Sequence, residues 1–172
     1  SYTENDIPNA LNNYGITKTI GDSMVTAMNS QHYVLRTSGV YGDGETIIKK
    51  LYGWAQERKQ LSFVNDQRLK LTNAITLAKA CVYMLDKRPE TGVYNVSDDG
   101  EALSWQEIAQ FIYETTGANK ELVSGISSEQ YKEKNPNSAI RPKNSVFDLS
   151  KIKSIGFEVP DMKNNLKEYI KS

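Results

Sequence analysis

The sequence predicts an α/β protein with parallel strand pairing, and three observations carry that expectation. Short apolar runs bounded by turn residues occur at Tyr33–Arg36, Leu61–Val64 and Val93–Val96, the pattern of strands buried on both faces. Between them lie longer stretches with apolar residues at helical spacing, and such alternation of strand and helix marks a parallel sheet. Only about three strands are visible, whereas an open sheet usually holds about five or six. The sheet is therefore expected to draw on strands outside this chain.

Residues 1–10 are polar and end in Ile7-Pro8-Asn9, a turn leading into a helix. From Leu11 to Met28 a helical pattern runs through Ile20, Met24 and Ala27, with a second seam at Tyr14, Lys18, Gly21, Val25 and Met28. The run Tyr33–Arg36 then feeds a Thr37-Ser38-Gly39 loop, which Gly42 and Gly44 punctuate further along. Ile47, Ile48, Leu51 and Trp54 mark an amphipathic helix. A strand at Leu61–Val64 precedes a helix over Asn73–Asp86, and Gly92 opens the third strand. Ser104-Trp105-Gln106-Glu107 is a capping box, with Leu103 and Ile108 at hydrophobic-staple spacing, and Gly117 supplies a left-handed stop. Residues 118–145 are polar and irregular, with one short helix expected near Ser127–Asn135. A last helix comes after Pro160-Asp161 and runs through Met162, Leu166, Tyr169 and Ile170.

Composition narrows the function. Lys+Arg and Asp+Glu both number 21 among 172 residues, and with no long basic run the chain offers no electrostatic footprint for nucleic acid or an anionic membrane surface. The longest apolar runs fall far short of the roughly 20 residues of a membrane span. A single cysteine forms no intrachain disulfide, which suits a reducing cytoplasm. Cys81 shares a helical row with Ile75, Ala78, Val82 and Leu85 and is expected in the core. Asp43-Gly44-Glu45 is too short for a calcium loop, and nothing else points to a metal. His32, Trp54 and Trp105 are expected to be structural, and Lys163, Lys167 and Lys171 to line a solvated helix face. The missing initiator Met and the strand deficit together predict roughly 100–130 further upstream residues with a Gly-rich fingerprint.

Tyr14-Gly15-Ile16-Thr17-Lys18 carries the chemistry. Positions four apart on a helix share one face, so the spacing sets a phenol beside an ammonium. A free phenol titrates near pH 10, and an adjacent cation favours the phenolate, so such a pair can exchange a proton with a carbonyl or alcohol oxygen. The motif alone is common by chance. Its setting adds weight, because the next strand ends in the small hydroxylated loop Thr37–Gly39, and ligands of open α/β sheets bind outside the carboxyl ends of strands.

Tyr14-Gly15-x-Thr17-Lys18 followed by Leu35-Arg36-Thr37-Ser38-Gly39-Val40-Tyr41-Gly42 resembles the extended short-chain dehydrogenase/reductases. Phe63-Val64-Asn65-Asp66-Gln67, Gly92–Ser97, Ser104–Ala109 and Arg141-Pro142-Lys143-Asn144-Ser145-Val146-Phe147-Asp148 occur in order and narrow the resemblance to the dTDP-4-dehydrorhamnose reductase family. That resemblance implies the carboxyl-terminal part of a Rossmann-type parallel sheet over residues 1–90, a small mixed α+β substrate lobe over 91–159 and a terminal helix over 160–172. It implies NADP- or NAD-dependent reduction of a nucleotide-linked 4-keto-6-deoxy sugar, in dTDP-L-rhamnose biosynthesis. Tyr14 would be the general acid, and Lys18 would support it and hold the nicotinamide ribose. Tyr14, Lys18, Thr37, Ser38 and Gly39 would face the cofactor. Arg141, whose planar fork matches phosphate oxygens, would take the diphosphate, with Gln67 and Asn95 as further substrate candidates. A homodimer is compatible with the resemblance.

Four departures stand beside it. There is no G-x-x-G-x-x-G after an opening strand, hence no pyrophosphate cradle. The family's triad Ser/Thr would lie upstream of residue 1. Gly39 stands where an aromatic commonly follows Arg-Thr-Ser, and Arg68-Leu69-Lys70-Leu71-Thr72 replaces a Phe-Gly-x-Pro-Thr-like turn. Two alternatives therefore accompany the reductase: a non-catalytic binding or regulatory subunit on the same fold, and a related nucleotide-sugar epimerase or dehydratase.

Overall fold

The computed structural model describes residues 1–171. Its centre is a parallel strand pair, β1 (Tyr33–Thr37) and β6 (Gly92–Val96), in register from Tyr33 opposite Gly92 to Thr37 opposite Val96. Alternation along β1 sends side chains to two faces. Tyr33 and Leu35 pack against the buried cluster that includes Ala80 and Met84 of α3 (Ala74–Lys87). On the other face the Arg36 guanidinium bonds Asp22 of α1 (Asn13–Met28) at 2.7 Å. The two helices therefore flank β1 from opposite sides. The outer edge of β6 is closed by the amino-terminal residues. Tyr2 N–H donates to the Val146 carbonyl at 2.7 Å, Asp148 N–H donates to the Tyr2 carbonyl at 2.7 Å, and the Asn95 N–H donates to the Glu4 carboxylate at 2.8 Å.

A second parallel pair, β3 (Leu61–Val64) with β7 (Val123–Ile126), supports α2 (Ile47–Gln56) and α4 (Trp105–Thr115). Ile48, Leu51 and Ala55 of α2 pack with Ile108, Ala109, Ile112 and Tyr113 of α4 in one buried cluster. Leu166 of α7 (Met162–Lys171) closes the cluster from the carboxyl terminus. The Ser104 capping box forms on both sides: Glu107 N–H donates to Ser104 Oγ at 3.2 Å, and Ser104 N–H donates to the Glu107 carboxylate at 2.7 Å. Leu103 and Ile108 lie in the same cluster, as their staple spacing requires. Two short pairs, β2 (Val40–Tyr41) with β5 (Thr72–Asn73) and β4 (Arg68–Leu69) with β8 (Asn144–Ser145), stitch the loops between the layers. The strand pairings cross residue 90, since β6 joins β1 and β7 joins β3.

Several expectations change. The expected short helix forms as α5 (Ser128–Lys134), but β7 and β8 give residues 118–145 more order than their polar sequence suggests, and a further helix, α6 (Ser150–Ser154), follows. A two-residue strand such as β8 has no periodicity to read, and β7 contains Ser124 and Gly125 where an apolar run is expected. Cys81 is exposed rather than in the core. Helix α3 offers two rows at helical spacing, and it buries Thr76, Ala80 and Met84 while Ile75, Val82 and Leu85 face outward. β1 is half-buried along its whole length rather than buried, and α1 has no buried residue. The terminal-helix expectation is met over Met162–Lys171, and its last residue lies outside those described.

Candidate active site

Tyr14 and Lys18 stand one turn apart at the start of α1. Asn12 caps this helix, its Oδ1 accepting from the Gly15 N–H at 2.9 Å, and its Nδ2 donates to the Ile140 carbonyl at 2.9 Å. One side chain thus fixes both the helix end and the loop that carries Arg141. Gly15 permits a close turn, since a Cβ there would lie 3.2 Å from the Ala10 Cβ. Lys18 Nζ sits 5.5 Å from the centroid of the Tyr14 ring, within cation–π range, and Tyr14 is 68% exposed. A proton donor and a cation therefore share one open surface. Arg141 is exposed as well and makes no ion pair among the described residues.

The Thr37–Gly39 loop leaves the carboxyl end of β1 and is sewn to Thr72. Thr37 Oγ1 bonds Thr72 Oγ1 at 2.9 Å, Thr72 Oγ1 donates to the Ser38 carbonyl, and Thr72 N–H donates to the Gly39 carbonyl at 3.1 Å. Thr72 is wholly buried, so these bonds face little competition from water. Gly39 has φ +37°, and a Cβ there would lie 3.0 Å from Leu71 Cδ2 and 3.2 Å from Leu69 Cδ1. The two departures at Gly39 and Arg68–Thr72 are one feature in space. The leucines press against the position where a side chain on residue 39 would begin.

The remaining candidates are engaged within the chain. Gln67 is half-buried and donates to Ser128 Oγ at 2.9 Å. Its neighbour Asp66 accepts from Ser128 Oγ at 2.6 Å and Ser128 N–H at 3.0 Å, which holds that carboxyl below its usual range. Asn95 is 0% exposed, and its Nδ2 donates to the Tyr2 carbonyl at 3.0 Å and the Asp148 carbonyl at 3.4 Å. This side chain fastens the amino-terminal segment to β6 and is turned away from solvent, with its Oδ1 buried without a partner among the described residues. The reason is its place: the outer edge of β6 is covered by residues 2–4.

Sequence reasoning missed Asn12, Thr72 and Asp98. An Asn three residues before Gly15 is a legible cap signal, whereas nothing in the sequence marks Thr72. Asp98 lies just beyond β6 and is fully buried; its Oδ2 accepts from Asn165 Nδ2 at 3.0 Å and Asn73 N–H at 3.2 Å. Burial pushes this carboxyl above its ordinary value, against the hydrogen bonds that favour its charge. Tyr41, 3.5 Å away, is pushed up by its own burial and by Asp98. Among the described residues no cluster of His, Cys, Asp and Glu could hold a metal ion, and no helix is long and apolar enough to cross a membrane.

The family model for the RmlD substrate binding domain matches residues 1–172. The chain belongs to this family. Among relatives of this RmlD-type chain, the spore coat polysaccharide biosynthesis protein SpsK of Bacillus subtilis is 29% identical over 170 residues, covering 98% of this chain and 57% of that protein. The dTDP-4-dehydrorhamnose reductase of Sinorhizobium fredii is 28% identical over 181 residues, covering 98% of this chain and 59% of the relative. The crystal structure of dTDP-4-dehydrorhamnose reductase from Bacillus anthracis in complex with NADP superimposes with a TM-score of 0.88 at 28% identity, over 99% of this chain and 59% of that one. The fold is thus α/β of the Rossmann-type reductase kind. The RmlD-type chain spans just under three fifths of the length of these relatives.

Proposed function

We propose that this chain supplies the catalytic pair and the substrate lobe of an NAD(P)H-dependent reductase acting on a nucleotide-linked 4-keto-6-deoxy sugar in the cytoplasm. The observation that carries this reading is the Asn12 bridge, which holds the Arg141 loop against the capped end of the Tyr14 helix. A proton donor and a guanidinium then face one ligand from two neighbouring segments.

The residues fit the nicotinamide end of such a cofactor and not its pyrophosphate. Lys18 offers an ammonium to ribose hydroxyls, and Gly39 leaves no side chain between the loop and a flat ring, whereas the glycine fingerprint for a pyrophosphate is absent from the sequence. When bound, NAD(P)H supplies the hydride. Tyr14 gives its phenolic proton to the carbonyl oxygen, and the neighbouring Lys18 ammonium stabilises the charge left on the phenolic oxygen. Arg141 takes the diphosphate through a bidentate, charge-assisted contact. Residues around β1 form the cofactor side, and the substrate lobe comprises β3, β7, α4 and α5. The identity and fold similarity of the reductase relatives support the same reading.

Reductase kinetics on the native gene product test it. Tyr14→Phe is expected to lower kcat by about 10²–10⁴-fold with KM little changed, because the ring is kept but its proton is gone. Arg141→Ala is expected to weaken sugar-nucleotide binding by roughly ten- to a hundredfold and leave NAD(P)H binding intact. Full activity in Tyr14→Phe would remove the reductase reading and favour a binding subunit.

A further inference from the structure

Three successive residues around β5, Leu71, Thr72 and Asn73, are bonded alternately to two sides. Thr72 faces the loop after β1. Its N–H donates to the Gly39 carbonyl at 3.1 Å, and its Oγ1 donates to the Ser38 carbonyl and accepts from Thr37 Oγ1 at 2.9 Å. The two neighbours face Asp98 instead. The Asp98 N–H donates to the Leu71 carbonyl at 3.0 Å, and the Asn73 N–H donates to Asp98 Oδ2 at 3.2 Å. Backbone groups of an extended chain point to opposite edges at successive residues, so a group that grips 71 and 73 leaves 72 aimed at the loop. Asp98 therefore brackets Thr72 from behind. Leu71, Thr72, Asn73 and Asp98 are all buried, where such bonds face little competition from water. An apolar side chain at residue 98 would leave the buried Asn73 N–H without this acceptor.

Helix α7 braces the same residues. Met162, Asn165 and Tyr169 stand at i, i+3 and i+7 and so share one helix face. The Leu71 N–H donates to Met162 Sδ at 3.0 Å, Asn165 Nδ2 donates to Asp98 Oδ2 at 3.0 Å, and Tyr169 Oη donates to the Gly42 carbonyl at 2.7 Å. We infer that Asp98 is a positioning residue for the Thr37–Gly39 loop, acting through Thr72 and steadied by α7. The inference rests on the function proposed above in one respect, that this loop seats the nicotinamide end of the cofactor. A loop free to shift misorients whatever it seats, and a misplacement of about 1 Å can cost on the order of a hundredfold in rate.

Variants of the native gene product test it by two measurements. Amide hydrogen exchange needs neither cofactor nor turnover. In Asp98→Ala, the Thr72 amide and the peptide over residues 37–41 are expected to exchange at least about tenfold faster, while amides of α2 keep the parent's rate. Asp98→Asn retains an acceptor for the Asn73 N–H and is expected to restore slow exchange. Unchanged exchange at Thr72 and 37–41 in Asp98→Ala would overturn the inference. So would an equal rise in α2, since Asp98 would then serve only global stability. Should Asp98→Ala not fold, Asn165→Ala withdraws the brace alone. Faster exchange confined to Thr72 and 37–41 would then support the inference, and unchanged exchange there would overturn it. In kinetics, Asp98→Ala is expected to raise KM for NAD(P)H and lower kcat with sugar-nucleotide KM little changed, and Asp98→Asn to reverse both effects. Added to Thr72→Val, Asp98→Ala is expected to change these values little further, and full additivity would exclude a path through Thr72. Failure of the reductase reading looks different: the parent itself would turn over no sugar nucleotide, and the exchange results would stand.

Discussion

Asp98 shows how one buried group can govern a property of the whole chain. Hydrogen bonds from Asn73, Asn165 and Tyr41 converge on its Oδ2, while Oδ1 is buried without a partner. The folded protein holds the carboxyl proton more tightly than the unfolded chain does. The stability Asp98 contributes is fully present below the unfolded pKa of about 3.9 and is lost as pH rises through the raised folded value. Asp98→Asn keeps an acceptor for the same three donors and removes the ionisation. Urea unfolding midpoints followed from about pH 4 to about pH 8 should fall less steeply in the variant than in the parent. Equal slopes would show that Asp98 does not set this dependence. At the same scale, Tyr14, Lys18 and Arg141 stand out in the sequence because their side chains have distinctive chemistry, and the roles given to them are those proposed above. Asn95 marks the limit of such reading, because a strand asparagine looks identical in sequence whether it meets a ligand or two backbone carbonyls.

Among the elements, α4 was the most legible and β7 the least. The Ser104–Glu107 box and the Leu103–Ile108 staple are local signals that depend on no distant partner, and both form. Ser104→Ala should cost about 1 kcal/mol of stability, read as a lower urea midpoint with unchanged slope. The loss should exceed that of an isolated cap, because Glu107 also pairs with Arg68. β7 carries Ser124 and Gly125, and its pairing with β3 is decided by residues about sixty positions away. For α3, the sequence contains two possible inner rows; Ala80 and Met84 join the cluster of Leu35, Tyr94 and Val96, and Thr76 accepts from Asn165 Nδ2 at 3.1 Å. The departures at Gly39 and Arg68–Thr72 were visible separately, but only the fold shows that Leu69 and Leu71 meet at residue 39.

For the whole molecule, β1 pairs with β6 alone among the described residues, and α1 buries none of its side chains. Cofactor binding should reflect it. The 172-residue chain alone is expected to bind NAD(P)H more weakly than about millimolar, because Lys18 can grip a ribose but no glycine-rich helix start receives the pyrophosphate. Titration calorimetry giving micromolar affinity would contradict this. Asn12 has a consequence of a different kind. Its oxygen serves the Tyr14 helix and its nitrogen serves the Arg141 loop, so the two tasks cannot drift independently over generations. Serine or aspartate would preserve the cap and release the loop, and no common residue other than asparagine performs both from that position. Variation at residue 12 should therefore be narrower than its exposure suggests, and a homologue that replaces it should tether its loop by another route.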